Sequence, residues 1–183
     1  MKKFIVLLRG INVSGKKKIK MSDLKLLFKE LSFTNVKTYI QSGNVIFSRK
    51  STNKKTIRKN IEDKIENTFT YDVQVIIKTP SEFDSAIRNN PFLKSKKNDT
   101  DRIYFTFLSE IPSTSNITKL READYSPEEY IIDGNIIYIF CPNGYGQTKL
   151  NNNFIEKKLN VYEKTRNFNT VKMLLALPQQ HQH

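Results

Sequence analysis

Residues 4–8 (Phe4-Ile5-Val6-Leu7-Leu8) are apolar without a break, which predicts a strand buried on both faces. A polar stretch follows over 9–20. Met21, Leu24, Leu27, Phe28 and Leu31 then recur at helical spacing, with Ser22 as the expected N-cap. Two short strands are predicted at 36–40 and 45–48, joined through the turn-like Gln41-Ser42-Gly43-Asn44. Ile57, Ile61, Ile65 and Phe69 mark one face of a second helix. A strand over 72–78 follows, with Val73, Val75 and Ile77 on one side. The order βαββαβ is that of a ferredoxin-like unit.

The second half nearly repeats it. Pro80 opens a short helix over 82–88, and Asn90-Pro91-Phe92 with the polar run 94–101 reads as a linker. A strand at 102–108, a helix at 116–123, a hairpin of 129–133 and 135–141 turning at Gly134, and a helix at 150–159 come next. The last helix, 168–177, carries Val171, Leu174 and Leu175 on one face and stops at Pro178. This half reads βαββα plus an extra helix. The expected fold class is α+β, with two ferredoxin-like (βαββαβ-type) lobes in one chain and an extra C-terminal helix. The expected divisions are a basic lobe at 1–79, a connecting helix and linker at 80–101, and a second lobe with the C-terminal helix at 102–183. Strands 103–108 and 136–140 are apolar on both sides, so the two sheets are expected to cover each other or join.

Charge is distributed unevenly over this pattern. Residues 1–60 hold 16 Lys and Arg against two acids, Asp23 and Glu30, for a net +14; residues 61–183 hold 15 against 16, for −1, giving the whole-chain +13. A surface that meets an anion explains such asymmetry, as does a solvated face that serves solubility. Cys141 is the one cysteine, so no intrachain disulfide forms. Metal-ligand spacing is absent: His181 and His183 lie in a polar tail, and neither a metal nor a cofactor is expected. The opening apolar run is too short for a signal peptide and Arg9 ends it. No stretch approaches membrane length, and a soluble cytoplasmic protein is expected.

Three loops carry candidate chemistry. The run 10–16 satisfies G-x-x-x-x-G-K, but Lys17 stands where a phosphate-binding loop needs Ser or Thr for magnesium, and three further residues precede the helix. A looser anion cradle from Arg9, Asn12, Lys16, Lys17 and Lys18 fits better, with Gln41, Ser42 and Asn44 of the hairpin turn adding amides and a hydroxyl. Asn143-Gly144-Tyr145-Gly146-Gln147-Thr148-Lys149 precedes a helix, where Lys149 supplies charge, Tyr145 could stack on a base and Thr148 helps to cap. Arg166, Asn167 and Asn169 sit at a predicted helix start, where they could grip a phosphate or carboxylate; equally, Asn167 is an ordinary N-cap and Arg166 pairs with an acid. Nucleophilic catalysis is hard to build, because no histidine lies in the folded body to activate Ser14, Ser42 or Cys141. Cys141 reads as a small buried hydrophobe.

Several of these segments together resemble one family. Leu7-Leu8-Arg9-Gly10-Ile11-Asn12-Val13, Thr38-Tyr39-Ile40-Gln41-Ser42-Gly43-Asn44-Val45, Asn90-Pro91-Phe92 and Thr165-Arg166-Asn167 through Thr170 are similar to an uncharacterised bacterial protein family with an LLRGINVGG-type start, a TYIQSGNV-type hairpin and a TRNWNT-type C-terminal segment. The resemblance implies a compact α+β fold of ferredoxin-like units and a bacterial cytoplasmic setting, and it brings no activity, cofactor or catalytic residue. Ser14 replaces a glycine of the pattern, and Phe168 replaces a tryptophan, removing an indole N–H donor.

The expected function is binding of an anionic ligand, nucleic acid or a phosphorylated metabolite, through basic and glycine-containing loops. One alternative is an enzyme that acts on a phosphorylated small molecule by charge stabilisation. Another is a protein–protein module with a basic docking face. No membrane partner is expected, and the pattern leaves the oligomeric state open.

Overall fold

The computed structural model of the chain describes residues 1–50 and 53–177. Pro178, His181 and His183 lie outside them. The elements in chain order are β1 (Lys2–Leu8), α1 (Met21–Glu30), β2 (Thr34–Tyr39), β3 (Asn44–Arg49), α2 (Lys54–Phe69) and β4 (Val75–Lys78), then α3 (Pro80–Asn89) and α4 (Phe92–Ser95). The second set is β5 (Ile103–Leu108), α5 (Thr114–Arg121), β6 (Glu129–Asp133), β7 (Ile136–Phe140), α6 (Asn152–Leu159), β8 (Glu163–Asn167) and α7 (Phe168–Ala176). Two four-stranded sheets result, ordered β2-β3-β1-β4 and β6-β7-β5-β8, every neighbouring pair antiparallel. Each sheet has flanking helices, and the strand order is the same in both, so the protein is two ferredoxin-like lobes with a C-terminal helix.

The chain divides into two compact units. One is Met1–Phe83 together with the chain from Met173 onward; the other is Asp84–Lys172. The boundaries fall inside α3 and α7. The first unit holds 18 of the lysines and arginines and seven of the carboxylates, a net +11, which leaves +2 for the second.

In the first unit Phe4, Val6 and Leu8 of β1 pack with Val45 and Phe47 of β3 against Leu24, Leu27 and Phe28 of α1 and the Ile57/Ile61/Ile65 stripe of α2. The rings of Phe33 and Phe47 stack at 4.2 Å, with Phe28 edge-on to both. The alternate residues Ile5 and Leu7 are buried as well, so β1 is covered on both faces. In the second unit Leu108, Ile137 and Ile139 pack against Leu120 of α5 and Ile155 and Leu159 of α6.

The structure departs from the sequence pattern at five places. Helix α1 has Lys20, not Ser22, at its N-cap, and no side chain caps it. Residues 72–74 precede β4 instead of belonging to it. The supposed linker contains α4 and a 3-10 turn at Thr100–Arg102. Helix α6 is capped by Asn151, whose Oδ1 accepts from Phe154 N at 3.1 Å, while Thr148 Oγ1 accepts from Leu150 N. The largest correction is β8. Its Glu-Lys-Thr-Arg-Asn sequence lacks any apolar alternation, yet it pairs with β5 from Tyr104↔Asn167 to Leu108↔Glu163 and completes the second βαββαβ. Residues 165–167 are therefore strand, and the helix begins at Phe168, where the sequence pattern places it.

Candidate functional site

The β1–α1 loop and the β2–β3 turn are built as one structure. Leu8 N donates to Gly43 O at 2.8 Å. The Asn12 amide makes three bonds: Nδ2 donates to Ile19 O and to Gln41 O, both at 2.9 Å, and Oδ1 accepts from Ile19 N at 2.8 Å. Asn12 therefore closes its own loop and ties it to the turn. Its φ of 54° suits asparagine, which tolerates the left-handed region better than most residues. Within the loop, Asn12 N donates to Lys17 O and Lys16 N to Val13 O, so 12–17 is a small turn closed on itself. Asn44 is buried and holds the turn from beneath, its Nδ2 donating to Tyr39 O at 2.9 Å and Ser42 Oγ at 3.2 Å.

These two segments carry an unusual density of left-handed backbone. Gly10, Asn12, Ser14, Gly15, Lys17, Ile40 and Gly43 all have positive φ. Ile40 is the notable member, because a β-branched residue is strained at φ 49°. It is also half exposed, at 50 %, beside Gln41.

Between the loop, the turn, the start of α1 and the end of α2 lies an open cleft of about 620 Å³. Asn12, Lys18 and Gln41, all expected as ligand residues, line it. Three other expected residues belong to the same loop system. Lys16 is exposed. Lys17 Nζ donates to Asp72 O, and Arg9 N donates to Gln74 O at 2.9 Å, so both join the loop to the segment before β4. Ser42 and Asn44 hold the turn. Sequence reasoning missed Lys20, Met21, Asp23 and Phe69, which complete the lining with Gly15 and Ile19. The basic run 16–18 with Lys20 could have flagged Lys20. Phe69 gave no such signal, because it continues the α2 core stripe in sequence and only the end of the helix exposes its ring.

The expected residues of the second unit take other roles. The Tyr145 hydroxyl lies 2.6 Å from Asn152 Oδ1 and 3.2 Å from Thr165 Oγ1, and its ring packs 5.0 Å from Tyr104. Thr165 Oγ1 donates to Glu163 Oε2 at 2.9 Å and sits 2.7 Å from Thr106 Oγ1. This polar network ties β8 to β5 and α6 around Glu163, which is fully buried. Arg166 is buried too; burial draws its pKa down to about 10, against the opposing charge of Glu163. Asn167 Oδ1 accepts from Thr170 N at 2.8 Å and caps α7. Asn169 is exposed in the first turn of α7, and Lys149 is exposed as well. The Phe168 ring stacks on Phe105 at 6.2 Å beneath Lys172 Nζ at 4.7 Å, so the position is occupied by packing.

Residues 1–138 match the model of a protein family described as "Protein of unknown function (DUF1697)". The chain belongs to that family. The match takes in the whole loop–turn system and its cleft. A solved structure with the same fold is the conserved bacterial protein SP0830 from Streptococcus pneumoniae, 22 % identical, with a TM-score of 0.76 over 96 % of this chain and 98 % of that one. No functionally curated protein is similar to the chain. Among the described residues of this DUF1697 member no group of three or more His, Cys, Asp or Glu is placed to hold a metal, and no helix is long and apolar enough to cross a membrane.

Cys141 is fully buried, and burial pushes its thiol up to about 11, a hydrogen bond with Thr148 opposing. The native protein at pH 8 is therefore expected to resist a thiol reagent such as DTNB for hours and to react at once in denaturant. Rapid native labelling would show that the β7 end opens readily.

Proposed function

We propose that the cleft between the β1–α1 loop and the β2–β3 turn binds a small phosphorylated ligand. The observation that carries this reading is the cleft itself. Its volume falls in the range of small-molecule sites. Lys18 and Lys20 line it with one carboxylate, Asp23, and exposed Lys16 stands in the same loop. The Asn12 bonds hold the loop in one shape, so the lysine backbones are placed before a ligand arrives, which lowers the entropy lost on binding. The first unit's +11 supports attraction of an anion over distance. The reading assigns binding and no reaction.

Titration calorimetry with ribose 5-phosphate tests it. Binding is expected, weakened at least about tenfold by Lys18→Ala/Lys20→Ala and unchanged by Lys94→Ala/Lys97→Ala, which removes two exposed cations of the second unit. No heat at millimolar ligand, or equal loss in both variants, counts against the cleft. The same net charge favours a second reading, a surface for nucleic acid. Anisotropy of labelled single-stranded RNA over a salt series tests that one. A steep linear fall of log affinity with log salt, insensitive to ribose 5-phosphate, would favour the surface over the cleft.

A further inference from the structure

Resting on the cleft reading above, we infer that its ligand is a nucleoside monophosphate, a phosphate joined through a sugar to a flat ring. The lining is divided chemically in a way that a bare phosphate does not use. Lys18 and Lys20 supply positive charge, whereas Ile19, Met21 and Phe69 supply apolar surface, and Gln41 and Asp23 supply hydrogen-bonding groups.

Phe69 is the last residue of α2. Part of its ring packs on the core of the first unit and the rest remains accessible. It is therefore an aromatic side chain anchored on the core and lining the cleft, the kind of group on which a nucleobase stacks irrespective of its identity. Met21 adds a polarizable thioether that adapts to a flat partner. Asp23 decides between ligand types. A carboxylate in the lining repels a compact polyanion such as pyrophosphate. It suits a ligand that is anionic at one end and rich in donors at the other, because ribose hydroxyls and exocyclic amines need acceptors. Gln41, whose side chain is exposed beside the strained Ile40, offers both an acceptor and a donor to the same end.

The test compares AMP, ribose 5-phosphate and adenosine by calorimetry on the wild type and on Phe69→Leu, which keeps an apolar side chain against the core but removes the flat ring. AMP is expected to bind at least about tenfold more tightly than ribose 5-phosphate, with adenosine weaker than AMP. In Phe69→Leu the AMP affinity is expected to fall to that of ribose 5-phosphate, whose own affinity stays within about twofold. Equal wild-type affinities for AMP and ribose 5-phosphate, both dependent on Lys18 and Lys20, would overturn the nucleotide assignment and leave the phosphate reading standing. Loss of AMP and ribose 5-phosphate binding by the same factor in Phe69→Leu would also overturn it, because the ring would then serve only the fold. Absence of binding by all three compounds would overturn both.

Discussion

Gly43→Ala is expected to destabilise the first unit by about 3 kcal/mol and to weaken ligand binding in the cleft. Two independent effects add at this residue. Its φ of +81° lies in the left-handed region, which disfavours any side chain. A Cβ there would also stand 2.9 Å from Ile11 Cδ1 and Cγ1 and 2.9 Å from Leu8 Cβ. Leu8 Cβ is held by the β1 ladder and Ile11 is fully buried, so neither neighbour yields cheaply. The relief available is to push the turn off the β1–α1 loop, which strains the Leu8 N–Gly43 O and Asn12 Nδ2–Gln41 O bonds. Gly10→Ala separates the two effects. Gly10 has a φ of +75°, but an added methyl there would meet nothing within 4 Å, so only the backbone cost applies, about 1 kcal/mol. Urea denaturation of both variants reads the difference. Equal losses at the two glycines would show that the close approach of Ile11 and Leu8 to Gly43 adds nothing to the backbone cost.

Lys78→Met is expected to stabilise the protein by roughly 2–3 kcal/mol at pH 7, an unusual direction for a core substitution. Lys78 lies on β4 with only 4 % of its surface exposed. Burial draws its pKa from the usual 10.5 to about 8; Glu82 opposes that shift and Lys54 adds to it. Glu82 is itself committed, since Oε2 holds Lys54 Nζ at 2.6 Å and accepts from Thr79 N at 2.7 Å at the start of α3. Below pH 8 Lys78 is charged in both folded and unfolded chains, and the burial penalty is present in full. Between pH 8 and 10.5 the folded chain releases the proton while the unfolded chain keeps it. The unfolded state then binds more protons, so Lys78's contribution makes stability rise with pH. Above 10.5 both are neutral and the penalty is gone. The advantage of Lys78→Met should therefore be full at pH 7 and shrink steadily through that window. Denaturant midpoints of the pair from pH 7 to 10.5 measure it. A variant less stable than wild type at pH 7 would mean that the ammonium has a favourable partner and that the side chain is retained for stability.

The strand at 4–8 and the helix with Ile57, Ile61 and Ile65 were legible because their apolar spacing exceeds any competing period. The same pattern placed both βαββ runs and hence the α+β class. Strand β8 was not legible. Glu163, Lys164 and Arg166 are buried polar residues, and a strand made of them has no apolar face to announce it; its identity comes from the β5 ladder. Nor could the sequence distinguish a ligand-binding asparagine from a structural one. Asn12 and Asn44 read as ligand amides and Asn167 as either a ligand amide or an N-cap, and in the structure each bonds backbone groups, Asn167 as the cap.

By itself, then, the sequence determined the periodicities, the repeated βαββ order, the basic first unit and the glycine-rich loops, because each of these is a local property of spacing, charge or backbone freedom. Tertiary structure alone decided which loops meet. Phe69, Lys20 and Gln41 are far apart along the chain, and they share one cleft because β1 runs between β3 and β4, bringing the ends of α1, α2 and the β2–β3 turn to the same place. Long-range pairing of that kind depends on which surfaces bury each other most completely, a sum over the whole unit that no short window of sequence contains.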